Sequence, residues 1–71
     1  MPKLPALTSK KVLSILQENG FEIDHITGSH YILYNSVTQK RVTVPFHAKD
    51  LSKGTLLSII KSSGILKEDF K

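Results

Sequence analysis

The stretch FEIDHITGSHYILYNSVTQKRVTVP, residues 21–45, decides the fold of this chain. It begins with apolar and polar residues in strict alternation. Phe21 and Ile23 would share one face of a strand, while Glu22 and Asp24 would share the other. Alternation of this kind is typical of a strand with one face on a core and one in water. We therefore predict that the first strand is half-buried.

Two turn signals divide the same stretch into three strands. Gly-Ser at residues 28–29 marks a tight turn, and Asn-Ser at residues 35–36 opens a second. In the last strand, Val42 and Val44 are predicted to face inward, and Pro45 would end it because proline has no N–H to donate. The three predicted antiparallel strands are residues 21–27, 30–34 and 39–44.

An amphipathic segment precedes the strands. Its apolar residues recur at positions i, i+3 and i+4, as they do along one side of a helix. Thr8 or Ser9 can act as the N-cap, because a short side-chain oxygen can accept a free N–H of the first turn. Gly20 stands where a left-handed residue commonly ends a helix. The pattern predicts a helix over residues 10–19, with Val12, Leu13, Ile15 and Leu16 as its buried stripe.

A second amphipathic segment follows the strands. Ser52 can cap a helix that runs to about residue 63, and Gly64 again supplies a left-handed end. Residues 65–70 are predicted to pack back as a short helical turn. The chain, residues 1–71, is therefore expected to be a single α+β domain of order α-β-β-β-α. Its two helices would cover one face of a three-stranded antiparallel sheet and leave the other face in water.

The composition excludes several classes of protein. There is no cysteine, which removes disulfide frameworks, thiolate metal sites and cysteine nucleophiles. No apolar run is long enough to span a bilayer, and the N-terminal residues lack the apolar region of a signal peptide. A cytoplasmic location is therefore expected. Because a domain of 71 residues has a thin core, any function should use an open face or groove.

The charge of the chain is compatible with a nucleic-acid partner. Ten basic residues against six acidic ones leave a net charge of +4. A small basic domain can bind nucleic acid through its positive field. The same charge can equally belong to a solvated surface, so the positions of the charges have to decide.

Histidine offers the most suitable chemistry in this sequence. His30 directly follows the Gly-Ser turn, at the start of the second strand. Imidazole has an unperturbed pKa of ~6.5, so it can give or take a proton near neutral pH. Cleavage of RNA by its own 2′-hydroxyl needs such a base and acid, and no metal. The alternative is a half-exposed strand histidine without a catalytic role.

Two other histidines, His25 and His47, are predicted to lie near the same end of the sheet as His30. Three histidines can suggest a metal site, but the five-residue gap from His25 to His30 would span a turn and lacks the tight spacing that zinc sites usually show. We therefore predict no metal and no cofactor.

Basic residues are predicted to form a phosphate track beside His30. The amides around Gly54 lie in the first turn of the second helix, where free N–H groups favour anions. The alternative is a set of ordinary surface lysines. Tyr31 and Tyr34 could stack on bases or serve in packing. The predicted RNA contacts are Lys40, Arg41, Lys49, Lys53 and Thr55.

Two segments, GFEIDHITGSHYILY and VTVPFHAKDLSKGTLLSIIKSSGI, resemble the HicA family of small toxins from bacterial toxin–antitoxin pairs. The resemblance extends over residues 4–70. Its most specific elements are Gly28-Ser29-His30, the Val44-Pro45-x-His47 element and Lys53-Gly54-Thr55-Leu56.

The resemblance implies a fold like that of double-stranded-RNA-binding domains. It also implies endonucleolytic cleavage of messenger RNA, which arrests translation and growth, with His30 as the catalytic residue. The expected partner is a HicB-family antitoxin that covers this site. From its placement alone, His47 is a candidate for a second acid–base group or a phosphate contact. Ser29 is a candidate for a catalytic or phosphate contact, or serves only the turn.

Two other functions fit the same fold. A non-catalytic module could bind double-stranded RNA by shape and needs no strand histidine. An interaction domain with a protein partner alone could use the strand from Tyr31 to Tyr34 as its interface.

Overall fold

A computed structural model describes residues 7–46 and 50–70. The three strands form one antiparallel sheet in the order β1-β2-β3. The predicted α-β-β-β-α order is confirmed, and the strand and α-helix boundaries lie within one residue of the prediction. The elements are α1 (Ser9–Glu18), β1 (Glu22–Thr27), β2 (His30–Asn35), β3 (Lys40–Pro45), α2 (Lys53–Ser63) and a short 3₁₀ helix (Lys67–Asp69).

The helix ends follow the predicted capping residues. The Thr8 hydroxyl accepts the N–H of Lys11 at 3.2 Å, and Ser52 caps α2 in the same way. Of the two predicted N-cap candidates for α1, Thr8 is therefore the cap. Gly20 and Gly64 end the two helices with φ of 92° and 73°, a conformation that costs other residues more than glycine.

The core lies between the two helices and one face of β2 and β3. Leu33, Val42 and Val44 project from the sheet into it, and Val42 and Val44 face inward as predicted. The opposite face of the sheet is left open, which confirms that the helices cover one side. The helices contribute Val12, Leu13, Ile15 and Leu16 from α1 and Leu56, Ile59 and Ile60 from α2.

The prediction that the first strand is half-buried is wrong. Phe21, just before β1, is 2% exposed, but all six residues of β1 are exposed. Ile23 and Ile26 face the helical side and are still 39% and 53% exposed. The reason is that both helices pack mainly against β3, at the other edge of the sheet. The helical layer does not extend over β1.

A β-bulge interrupts the alternation of β1. Ile23 pairs with Leu33, and His25 pairs with the adjacent residue Ile32, so Asp24 is the extra residue. Strict alternation would place His25 on the face of Phe21 and Ile23. One inserted residue reverses the faces that follow. His25 therefore lies on the open face of the sheet.

Both helices run in the same direction across the sheet. The Ser9 hydroxyl, at the start of α1, donates to the Pro45 carbonyl at 2.7 Å. At the other end of α1, the Asn35 side-chain amide donates to the Asn19 carbonyl at 3.1 Å. The N-terminus of α1 thus lies at the Pro45 end of the sheet.

Two contacts place α2 in the same way. A β-bridge joins Asp50, just before α2, to Thr8 at the start of α1. Gly64, after α2, approaches Lys40 so closely that a Cβ on the glycine would lie 2.8 Å from Lys40 Cε. The N-termini of both helices therefore lie at the end of the sheet that contains Pro45.

We expect Asn35→Ala to destabilise the fold by about 1–3 kcal/mol, because buried hydrogen-bond partners would be left unsatisfied. Asn35 is 5% exposed; its amide donates to Asn19, and its side-chain oxygen accepts the N–H groups of Val37 and Thr38. Urea unfolding measures the change. Ser36→Ala, at the exposed neighbour, should shift stability by less than about 0.5 kcal/mol; equal losses in the two variants would contradict the role of Asn35.

Candidate active site

His30 lies on the open face at the end of the central strand. It is the first residue of β2 and pairs with Thr27 on β1 and Pro45 on β3. Its neighbour Tyr31 packs against the core, so the His30 side chain projects from the opposite face. The residue is exposed, and no described residue hydrogen-bonds to the imidazole. The ring is thus accessible to a ligand.

The Gly-Ser turn holds the start of β2. Gly28 has φ of 57°, the left-handed conformation that such a turn requires. The Ser29 carbonyl accepts the N–H of Phe46 at 2.6 Å, which extends the pairing of β2 and β3 by one step. The backbone on both sides of His30 is therefore fixed.

The predicted position of Lys40 and Arg41 beside His30 is wrong. In the register of β2 with β3, Lys40 pairs with Asn35 and Arg41 with Tyr34, whereas His30 pairs with Pro45. Along β2, Asn35 lies five residue steps and Tyr34 four steps from His30, which correspond to about 17 Å and about 13 Å. The hairpin between β2 and β3 reverses the chain, so the start of β3 lies at the opposite end of the sheet from His30.

The start of α2 shares an end of the sheet with His30 but not a face. Lys53 and Thr55 lie in the first turn of α2, which packs on the covered side. The Thr55 N–H donates to the Ser52 hydroxyl at 3.3 Å, and this hydroxyl donates to Thr55 Oγ1 at 2.8 Å. His47 and Lys49 lie outside the described residues.

A polar cluster occupies the open face farther along β1. Asp24 Oδ2 lies 2.7 Å from His25 Nδ1 and 3.4 Å from Arg41 Nη1. The Arg41 guanidinium lies over the ring of Tyr34, with Cζ 5.0 Å from the ring centre. The hydrogen bond from His25 is the main cause that lowers the pKa of Asp24 below 3.8; partial desolvation opposes it, and the charge of Arg41 supports it.

The two tyrosines have different environments. Tyr31 packs against the core and stacks on Phe46, with ring centres 4.9 Å apart. Tyr34 is partly exposed on the open face beneath Arg41. Tyr31 therefore serves packing, and Tyr34 is the tyrosine on the accessible face.

Sequence reasoning did not assign His25 to the site. Alternation from Phe21 onward would turn His25 toward the helices, and the bulge that reverses this has no signal in the local residue pattern. Two indications were present: the predicted position of His25 near the His30 end of the sheet, and the adjacent Asp24, since a carboxylate beside a histidine can orient its ring.

Within residues 7–46 and 50–70, no three or more His, Cys, Asp or Glu side chains are grouped so that they could hold a metal ion. In the same residues, no helix has the length and apolar character needed to cross a membrane.

The chain matches a protein-family model over most of its length. The family model described as HicA toxin of bacterial toxin-antitoxin matches residues 9–65. This range includes both α-helices, all three strands and His30. The comparison with curated proteins finds no match.

We expect His25→Ala to raise the pKa of Asp24 toward its ordinary value, because the variant removes the hydrogen bond that lowers it most. Arg41→Ala should raise it less. Carboxyl ¹³C chemical shifts measured from pH 2 to 7 report the titration of Asp24. Thr43→Ala, an exposed change on the same face, serves as the control; an Asp24 titration that is unchanged in His25→Ala would contradict the assigned contact.

The lowered pKa of Asp24 also predicts how its contribution to the stability of the fold changes with pH. A carboxyl with a depressed pKa in the folded state stabilises the fold above its unfolded-state pKa, and this contribution is lost as the pH falls through the folded value. Any stability difference between the protein and Asp24→Asn should therefore be present at pH 6 and shrink at pH values below 3.8. Urea midpoints at the two pH values measure it.

Proposed function

This chain belongs to the HicA family of toxins from bacterial toxin–antitoxin systems, and we propose that it is an endoribonuclease that cleaves messenger RNA and thereby arrests translation and growth. The observation that carries the proposal is the exposed imidazole of His30 at the end of the central strand. A ring buried among the apolar residues of the core could not reach the ribose of an RNA strand.

The proposed reaction uses the 2′-hydroxyl of the RNA as the nucleophile. A base removes its proton, the oxygen attacks the adjacent phosphorus, and an acid protonates the leaving 5′-oxygen. His30 acts as one of these two groups. Imidazole transfers protons without help from a metal ion, so we propose a metal-independent reaction. Ser29, next to His30, is a candidate for a contact to the same phosphate.

The charges at this end of the molecule favour a bound phosphate. Helix N-termini carry partial positive charge, and both helices begin at the His30 end. Neither helix has an acidic residue in its first turn. The Thr55 N–H already donates to the hydroxyl of the N-cap Ser52. A phosphate would therefore approach the amides of Lys53 and Gly54. Apart from the adjacent residues and the backbone of the helix itself, no atom lies within 4 Å of the position that a Cβ on Gly54 would occupy.

We assign the predicted basic residues to different parts of the RNA. Lys53 and the Thr55 hydroxyl would contact the phosphates nearest the cleavage site, together with Lys49 and His47. Lys40 and Arg41, at the opposite end of the sheet, would contact only RNA that continues along the open face.

The partner of the toxin would be an antitoxin of the HicB family. A toxin of a toxin–antitoxin family implies a cognate antitoxin. We propose that it covers the open face around His30 and so blocks access of RNA. A HicB-like reading frame beside this gene, and loss of cleavage when its product is added, would support this pairing.

His30→Ala should reduce RNA cleavage by about 10²–10⁴-fold, because a general acid–base group supplies rate enhancements of this order. The measurements are cleavage of RNA by the purified protein and growth after induction. An unchanged urea unfolding midpoint shows that the variant is folded. Equal toxicity of the two proteins would rule out a catalytic His30. If the unaltered protein and His30→Ala both bind RNA and neither cleaves it, the result would indicate the non-catalytic double-stranded-RNA-binding module instead.

Lys53→Ala should weaken RNA binding and reduce its salt dependence by about one phosphate contact. Lys61→Ala is the matched control, since it removes the same charge from the last turn of the same helix, at the far end from His30. Binding of RNA to the His30→Ala protein at several salt concentrations measures both. Equal effects of the two lysines would show that only net charge matters.

A further inference from the structure

Two histidines share the open face of the sheet at neighbouring positions. His30 pairs with Thr27, and His25 lies two residues before Thr27 on the same strand. Such diagonal neighbours on adjacent antiparallel strands are about 7–8 Å apart at their Cα atoms. Both side chains are exposed, His25 at 53%. The two imidazoles can therefore lie on either side of one phosphodiester group.

The bulge in β1 creates this arrangement. If the register of Glu22 and Ile23 continued along β1, His25 would oppose Tyr31, whose side chain packs on the helical side. With the bulge, His25 opposes Ile32 and faces the same solvent as His30. Bulges often occur next to active sites, where they change the direction of a side chain.

Asp24 distinguishes the two histidines chemically. An ionised carboxylate only accepts hydrogen bonds, so His25 Nδ1 carries the proton it donates to Asp24 Oδ2 at 2.7 Å. This contact fixes the ring and leaves Nε2 directed away from the carboxylate. No described residue makes such a contact to His30.

We propose that His25 is a second catalytic residue, the general acid that completes the reaction begun by His30; the inference rests on the function proposed above. His30 takes the proton of the 2′-hydroxyl. The 2′-oxygen forms a bond to phosphorus as the bond from phosphorus to the 5′-oxygen breaks. The His25 imidazolium gives its Nε2 proton to that oxygen. The products are a 2′,3′-cyclic phosphate and a 5′-hydroxyl, and exchange with water restores both rings.

The other charged groups on this face fit the assignment. Arg41 reaches from β3 across β2 to the same carboxylate oxygen, Asp24 Oδ2, that His25 contacts, so the carboxylate is positioned by two partners. Glu22 lies on the same face beside Tyr34, farther from His30 than His25 is. Asp24 touches His25 and not the substrate, which makes it a positioning residue.

The test compares two RNA substrates that differ in the leaving atom. One is an ordinary oligonucleotide, and the other has sulfur in place of the 5′-oxygen at the cleaved bond. A thiolate leaves without protonation, so this substrate does not need a general acid. His25→Ala should slow cleavage of ordinary RNA by about 10²–10⁴-fold. On the sulfur substrate it should cleave within tenfold of the unaltered protein.

The controls separate this inference from the proposed function. His30→Ala should be slow on both substrates, because the base is needed in each case. Thr43→Ala should cleave both substrates at the rate of the unaltered protein. Thr43 pairs with Ile32 from β3, as His25 does from β1, so this control changes the matching position on the other side of β2. Asp24→Asn should lower kcat on ordinary RNA more than it changes KM, with recovery on the sulfur substrate.

Two results would overturn the role of His25 while leaving the nuclease intact. One is cleavage of ordinary RNA by His25→Ala within twofold of the unaltered protein. The other is equal loss of rate on both substrates. If the unaltered protein cleaves neither RNA, or if His30→Ala cleaves as fast as it does, the proposed nuclease function fails as well.

Discussion

Burial of Leu33, Val42 and Val44 beneath the two helices determines which way each side chain of β2 and β3 points. Side chains alternate along a strand, so the residues between these three must face the opposite side. This places His30, the first residue of β2, on the face that the helices leave open. The core of this small protein and the accessibility of its candidate catalytic ring are thus two results of one packing arrangement.

The direction of the helices adds an electrostatic asymmetry. Hydrogen bonds from Ser9 to Pro45 and from Asn35 to Asn19 fix α1, and α2 follows the same course. Both positive helix ends therefore lie at the end of the sheet where His30 stands. The hairpin that joins β2 and β3 carries Lys40 and its neighbour to the other end, which separates the basic residues into two regions.

Much of the fold was predictable because it depends on local physics. The N-caps at Thr8 and Ser52 and the left-handed ends at Gly20 and Gly64 follow from hydrogen bonding and backbone sterics within a few residues. The exposure of Ile23 was not predictable from the alternation around it. Whether an apolar residue on an edge strand is covered depends on where distant helices pack, and that is a property of the whole fold.

The sequence by itself determined the order of elements, the helix ends and the histidine that follows the Gly-Ser turn, since each depends on neighbouring residues. Only the tertiary structure decided that β1 has a bulge at Asp24 and that His25 therefore shares a face with His30. It also decided that Arg41 pairs with Tyr34, at the opposite end of the sheet from His30. The physical reason is that strand register is set by pairing between segments, and a shift of one residue reverses every side chain that follows.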